Sequence, residues 1–237
     1  MGEKIMAEVD DPIFRREHPV FFPFGPPVYI DSVSEEYVVE LDDLIEEHGG
    51  KIEFDASGLL AGRIKKQTGL ETLISPELEE HIVKHCMRFN EHARGNIDVG
   101  GGMERTPLMR LDAVWSNIQE AREYNPPHQH TGHFSFVIYC RNDLQKYSLE
   151  ELQDNEYDAP HSSSLSQEHE VDNRKLAGLI ELQYGEPNWM NWNTYQFVPN
   201  RGDIIIFPSW LRHTVYAHYQ KDCVRVSVAG NVSIVGE

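Results

Sequence analysis

The second half of the chain contains six short segments rich in β-branched and aromatic residues, and this pattern constrains the fold more than any other feature. The segments read LDAVWSNI, FSFVIYCR, AGLIELQY, TYQFVPN, DIIIFP and RVSVAGNV. Turn residues separate them, and short segments of this composition are typical of β-strands. Many short strands after a few helices indicate an α+β protein, mainly β, built on a β-sandwich or jelly roll.

Two helices are predicted before these strands. The first begins at a capping box formed by Ser32 and Glu35 and ends before Gly49. The second begins with Ser75 as its N-cap and Pro76 in its first turn. Apolar residues recur at helical spacing in both segments, which predicts that each helix packs one face against a sheet.

The chain is expected to divide near residue 107. Residues 1–107 are predicted to form an N-terminal arm and supporting helices, and residues 108–237 a β-core. The arm, residues 1–27, is rich in proline and aromatic residues and offers a contact for a homo-oligomer. Residues 143–173 are polar and poor in β-forming residues, so they are expected to form a long insertion over the mouth of the site.

The charge and cysteine content narrow the classes of partner and compartment. The net charge is -18, from 39 acidic and 21 basic residues. Such a surface repels phosphate backbones and anionic lipids and disfavours nucleic-acid binding. No stretch approaches the roughly 18 apolar residues of a membrane span, and no apolar leader is apparent. The three cysteines are odd in number and form no CxxC pair, which fits a reducing cytoplasm.

Three histidines carry the clearest indication of chemistry. His128 and His130 are two residues apart, so in a strand both side chains point to one face and can enter one metal shell. His213 follows the apolar segment that ends at Pro208. Two ligands from one strand and a distant third form a facial arrangement with open positions, which suits Fe(II) that binds a cosubstrate and O2. The alternative is that these are polar loop histidines; nearby His133 is expected outside the metal shell.

An arginine and a serine on one face of the last predicted strand indicate an anion site. Arg225 and Ser227 alternate with apolar residues, so their side chains point the same way. A guanidinium fork with a hydroxyl matches the oxygens of a carboxylate. A surface salt bridge of Arg225 is the alternative.

Five ordered motifs span the region from about residue 115 to residue 231. They read Trp115-Ser-Asn117, Tyr124-Asn-Pro-Pro-His128-Gln-His130, Ser135-Phe-Val-Ile-Tyr139, the GDIIIFPSWLRH segment that ends at His213, and Arg225-Val-Ser227. Together they resemble the 2-oxoglutarate/Fe(II) oxygenases, and more narrowly a bacterial and phage family of uncharacterised members. The resemblance implies a double-stranded β-helix (jelly roll) with Fe(II), 2-oxoglutarate, O2 and an unidentified substrate that is hydroxylated.

The resemblance also implies roles for individual residues. His128 and His213 correspond to iron ligands, and His130 stands where the family usually has a carboxylate. This departure bears on the choice of metal, because three imidazoles also suit zinc or nickel.

The remaining implied roles concern the cosubstrate. Arg225 with Ser227 corresponds to the pair that binds the far carboxylate of 2-oxoglutarate. Asn117, Tyr124 and Tyr139 are implied as further cosubstrate contacts.

Two other functions compete with the oxygenase. The histidine spacing also resembles the two cupin motifs, but Trp210 stands where cupins usually have glycine, and Arg225 has no role in a cupin. The missing carboxylate and the proline-rich arm favour instead a non-catalytic structural or binding module, for example a phage particle component associated with the virion.

Overall fold

The computed structural model describes residues 19–21, 25–56, 62–96, 107–147, 178–186 and 193–236, and in these ranges it contains two α-helices and two antiparallel sheets. The helices are α1, Glu35–His48, and α2, Pro76–Asn96. The strands are β1, Val20–Phe21; β2, Val28–Ser32; β3, Lys66–Gly69; β4, Leu108–Gln119; β5, Asn125–His128; β6, Phe134–Asn142; β7, Ile180–Gln183; β8, Thr194–Phe197; β9, Asp203–Pro208; β10, Arg212–Val215; and β11, Arg225–Gly236. The predicted mainly-β, α+β character is confirmed, since each of the six predicted segments contains a strand.

The strands form a large sheet and a small sheet. The large sheet has seven strands in the order β1-β2-β9-β6-β11-β4-β3, and the small sheet has four in the order β5-β10-β7-β8. Three strands from the first 107 residues pair inside the large sheet: β1 with β2, β2 with β9 and β3 with β4. The N-terminal part of the chain therefore supplies strands of the same sheet as well as helices.

Alternation of side chains along β6 explains how the layers pack. Phe136 and Ile138 join one apolar cluster with α1 and α2, whereas Val137 and Tyr139 join a second cluster with the small sheet. Successive side chains of a strand point to opposite faces, so one strand serves both clusters. The large sheet is thus the middle layer, with helices on one face and the small sheet on the other.

Of the two predicted helix starts, the structure confirms one and contradicts the other. The hydroxyl of Ser75 accepts a hydrogen bond from the N–H of Leu78 at 3.1 Å, so the predicted start of α2 is confirmed. The capping box at Ser32 is wrong: α1 follows Ser34 as its N-cap residue. Ser32 is instead the last residue of β2, paired with Asp203 of β9, because sheet pairing extends to this position.

Several predictions lie wholly or mostly outside the described residues. These are the extended arm and most of the polar insertion between residues 143 and 173. Within the described part of the chain, no helix has the length and apolar composition needed to cross a bilayer. The three cysteines are buried and free, so no disulfide is present between them.

Candidate metal centre and ligand cavity

Strands β5 and β10 bring two of the predicted ligands together. Their register pairs His128 with His213, and the two imidazole centroids are 4.2 Å apart. β5 lies at the edge of the small sheet, which suits its two prolines because they have no N–H to donate to a further strand. The carbonyl of Pro208 accepts a hydrogen bond from the N–H of Leu211 at 2.8 Å, and this turn reverses the chain so that β10 runs back beside β5.

His130 follows β5 in a loop and completes the cluster. Its N–H donates to the carbonyl of Ser209 at 2.9 Å, which fixes the loop beside the turn after β9. The His130 ring lies 4.9 Å from the His128 ring and 5.0 Å from the His213 ring. One ring nitrogen from each histidine lies within 4.8 Å of the other two, so a single metal ion can reach all three.

All three imidazoles are in the form that binds metal. Burial, with the neighbouring rings, lowers the pKa of His213 to about 3, and burial, with His128, lowers that of His130 to about 4. Burial also lowers the pKa of His128. Nδ1–H of His128 donates to the carbonyl of Pro126 at 2.7 Å, and Nδ1–H of His213 to that of Leu211 at 3.1 Å. These bonds leave the Nε2 lone pairs available to a metal.

A cavity of about 180 Å³ lies beside the histidines and is lined by residues of both sheets. This volume is several times the roughly 30 Å³ of one water molecule. The register of β4, β11 and β6 aligns Asn117, Ser227 and Tyr139 across the large sheet, and we call these three residues the polar row. All three are buried and line the cavity. Among the described residues, none that lines it carries a carboxylate.

Arg225 reaches the same cavity from β11 and is only 2% exposed. Its Nη1 donates to the carbonyl of Gly178 at 2.6 Å, while its Nε is buried without a partner in the described part of the chain. Burial lowers the pKa of the guanidinium. A buried cation without a counter-ion is costly unless an anion joins it, so the cavity suits an anionic ligand. The alternative reading of a surface salt bridge does not hold at this burial.

Tyr124 and His133 lie outside the metal centre and the cavity. Tyr124 is 37% exposed and does not line the cavity, so its expected contact with the cosubstrate has no support in the geometry. The carbonyl of Tyr124 instead accepts a hydrogen bond from the N–H of Arg63 at 2.8 Å. His133 is exposed, and its Nδ1 accepts a hydrogen bond from the N–H of Ile234 at 3.1 Å.

Sequence reasoning missed Gln67, which enters the cavity from β3. Its Nε2 donates to Oδ1 of Asn117 at 2.6 Å in a buried contact. No motif surrounds Gln67, and only the pairing of β3 with β4 reveals it. Trp115 is a further wall of the cavity, with its ring 5.4 Å from that of His130. Trp115 could have been predicted at the cavity, because it stands two residues before Asn117 and therefore on the same face of β4.

One family model and several solved structures are similar to this chain. The family model described as "Putative 2OG-Fe(II) oxygenase" matches residues 113–231, about half of the chain. This match contains the three histidines, the polar row and Arg225. No curated protein matches the chain.

Solved structures resemble the chain at low sequence identity. An oxidoreductase of the 2OG-Fe(II) oxygenase family from Burkholderia pseudomallei is 11% identical, with a TM-score of 0.51 over 88% of this chain and 85% of that chain. A prolyl-4-hydroxylase from Pseudomonas putida is 10% identical, with a TM-score of 0.46 over 86% and 90%. The viral collagen prolyl hydroxylase from Paramecium Bursaria Chlorella virus-1 is 12% identical, with a TM-score of 0.45 over 86% and 94%. The first of these likenesses shows a shared fold.

Proposed function

Because the chain belongs to the 2OG-Fe(II) oxygenase family, we propose that its three clustered histidines hold the iron and that the adjoining cavity binds 2-oxoglutarate. Members of this family use Fe(II), 2-oxoglutarate and O2 to oxidise a further substrate, so the chain is an oxygenase. One observation carries the assignment of the site: a neutral imidazole cluster adjoins a cavity that contains a buried arginine, and no carboxylate of the described residues pairs with it.

The fold proposal is a double-stranded β-helix, or jelly roll, formed by the large and small sheets. The antiparallel pairing throughout both sheets and the likeness to the Burkholderia pseudomallei oxidoreductase support it. Residues 108–237 would form its core and residues 1–107 its support, and β1, β2 and β3 from the latter would join the large sheet. The ordered motifs support the narrower proposal of a bacterial or phage family of uncharacterised members.

The metal site is proposed to consist of His128, His130 and His213. The donor set fits Fe(II), since imidazole nitrogen is a ligand that iron accepts and three protein ligands leave positions open. His130 replaces the usual carboxylate, so the three protein ligands carry no negative charge that would offset the positive charge of the metal. Phe207, whose ring lies 4.9 Å from that of His213, adds an apolar wall to the cavity beside the cluster.

The cosubstrate is proposed to lie against the polar row with its far carboxylate at Arg225. The free Nε of Arg225 and the hydroxyl of Ser227 supply donors on one face of β11. Burial raises the pKa of Tyr139 to about 12, so this phenol stays protonated and donates its proton to an oxygen of the ligand. Asn117 contributes an amide, and Tyr124 has no part in this arrangement.

Together, the bound iron and cosubstrate supply the oxidising chemistry: 2-oxoglutarate and O2 become succinate and CO2, and one oxygen atom enters a substrate C–H bond to give an alcohol. The chain's own residues bind and orient the reactants. Arg225 would neutralise a carboxylate charge, and the three histidines, which line the same cavity, would hold the metal.

We also propose which macromolecules the chain contacts and the compartment in which it acts. The net charge of -18 disfavours nucleic acid as the substrate. The proline-rich arm is proposed as the contact of a homo-oligomer, and the cytoplasm as the compartment, with a virion location if the chain is phage-encoded.

The non-catalytic module and the cupin are not favoured. The family match supports an enzyme, and a cupin gives no role to a buried arginine facing the cavity. The buried Arg225, which has no counter-ion within the described ranges, also argues against a decayed site, because an unused buried cation only destabilises the fold.

The proposal is tested by metal content and turnover. The protein is purified without oxygen and supplied with Fe(II), and bound iron is measured. O2, 2-oxoglutarate and ascorbate as the reductant are then added without substrate, and succinate is measured. One iron per chain with succinate formation is expected. A protein that retains no metal and forms a stoichiometric oligomer would instead be the structural module.

A further inference from the structure

We propose that Gln67 is a positioning residue, which turns the amide of Asn117 so that its N–H groups face bound 2-oxoglutarate. The inference rests on the proposed function, and it concerns a residue outside the 113–231 region that matches the family. The N-terminal part of the chain would then complete the cosubstrate site.

The contact itself is short and buried. Gln67 is 3% exposed and Asn117 is 6% exposed, and Nε2 of Gln67 donates to Oδ1 of Asn117 at 2.6 Å. The register places these residues directly opposite each other on β3 and β4. On the other side of Asn117, the register places Ser227 of β11. The Asn117 side chain therefore lies between Gln67 and the strand that carries the proposed carboxylate donors.

The geometry of an amide determines which end faces which neighbour. Oxygen and nitrogen diverge from the same planar carbon, so Nδ2 of Asn117 points away from Gln67 once Oδ1 is engaged. Nδ2 is a donor and suits a carboxylate, whereas Oδ1 in its place would repel one. A donor at position 67 thus selects the orientation of Asn117 that suits an anion.

The other end of Gln67 argues against a purely structural role. Its Oε1 is buried and has no hydrogen-bond partner within the described residues. An unpaired buried acceptor destabilises the folded state, so an apolar residue would serve packing alone at least as well. The N–H donor of the Gln67 side chain, which binds Asn117, therefore explains why this position carries an amide.

Four variants test this step: Gln67→Ala, Gln67→Glu, Asn117→Ala and the double variant of Gln67→Ala with Asn117→Ala. The dissociation constant of 2-oxoglutarate is measured by calorimetry on the anaerobic Fe(II)-loaded protein and again on the zinc-loaded protein, so that no turnover is needed. Loss of one oriented donor to a charged ligand predicts about tenfold weaker binding by Gln67→Ala. Gln67→Glu is expected to weaken binding further, because its carboxylate accepts from Nδ2 of Asn117 and turns Oδ1 toward the ligand.

The double variant separates positioning from direct contact. If Gln67 acts through Asn117, the double variant binds no more weakly than Asn117→Ala alone. Thr68→Val is the matched control, because Thr68 is buried on β3 and its side chain alternates to the other face. This control is expected to bind 2-oxoglutarate like the unmodified protein.

Two results would overturn the positioning role: unchanged affinity in the nearly isosteric Gln67→Glu, or additive losses in the double variant. Arg225→Ala, measured alongside, distinguishes this failure from failure of the proposed function. If Arg225→Ala loses affinity and Gln67→Glu does not, only the role of Gln67 is wrong. If neither variant changes the affinity, the cavity is not the 2-oxoglutarate site.

Discussion

His128 and His213 face each other in register across the antiparallel pair β5 and β10, with their ring centroids 4.2 Å apart. Each ring donates its Nδ1–H to a backbone carbonyl two residues earlier, so the nearby backbone sets the orientation of both Nε2 atoms. A metal bound here would tie the edge strand of the small sheet to its neighbour, and metal binding should therefore stabilise the fold.

His213→Ala is expected to abolish metal binding, because it removes the most deeply buried of the three imidazoles. Iron per chain after anaerobic reconstitution is the measurement, with the shift of the unfolding temperature on metal addition as a second readout. His133→Ala is the control, since His133 is exposed and lies outside the cluster. Stoichiometric iron in His213→Ala would defeat the assignment.

Arg225→Met is expected to weaken 2-oxoglutarate binding by about a hundredfold, since a charge-assisted, two-point contact is lost. The same change should leave the ligand-free protein equally stable or more stable, because a buried cation that has no counter-ion among the described residues is replaced by an apolar side chain. Calorimetric affinity and urea unfolding measure the two effects. Unchanged affinity would place Arg225 outside the binding site.

His130→Asp is expected to preserve or improve Fe(II) binding and to lower the preference for zinc, because a carboxylate adds negative charge and a harder ligand. Competition between Fe(II) and Zn(II) for the protein measures this preference. His133→Asp provides the same substitution three residues later, outside the cluster. Identical metal preference in His130→Asp and the unmodified protein would mean that His130 is not a ligand.

The buried His85 predicts a loss of stability in mild acid. Burial lowers its pKa to about 3, and its Nδ1 lies 2.6 Å from the hydroxyl of Tyr29. Between about pH 6.5, the ordinary pKa of histidine, and pH 3, the unfolded chain binds a proton that folded His85 does not. The free energy of unfolding therefore falls as the pH drops through this window, by up to about 1.4 kcal/mol per pH unit from this group.

Urea unfolding of the metal-free protein at pH 7.5, 6 and 5 measures that slope. His85→Gln should show a shallower dependence on pH than the unmodified protein, since glutamine does not titrate. The comparison is repeated in a His81→Gln background, because Nε2 of His81 lies 3.2 Å from that of His85 and the two rings influence each other's protonation. Equal slopes in the two proteins would contradict the prediction.

Some features could be predicted from the sequence because they depend on short-range order. The β-branched and aromatic residues of FSFVIYCR predicted β6, and those of DIIIFP predicted β9. Arg225 and Ser227 were paired correctly on one face because side chains two residues apart in a strand point the same way. Local spacing is sufficient for such inferences.

The tertiary structure alone decided which distant segments pair and in what register. Pairing with β9 takes Ser32 into a strand, although its local pattern predicted a helix cap. Pairing of β3 with β4 brings Gln67 against Asn117, and the path of β5 leaves Tyr124 outside the cavity. A shift of one residue in register would turn each of these side chains to the other face, and nothing in the local sequence specifies register between strands far apart in the chain.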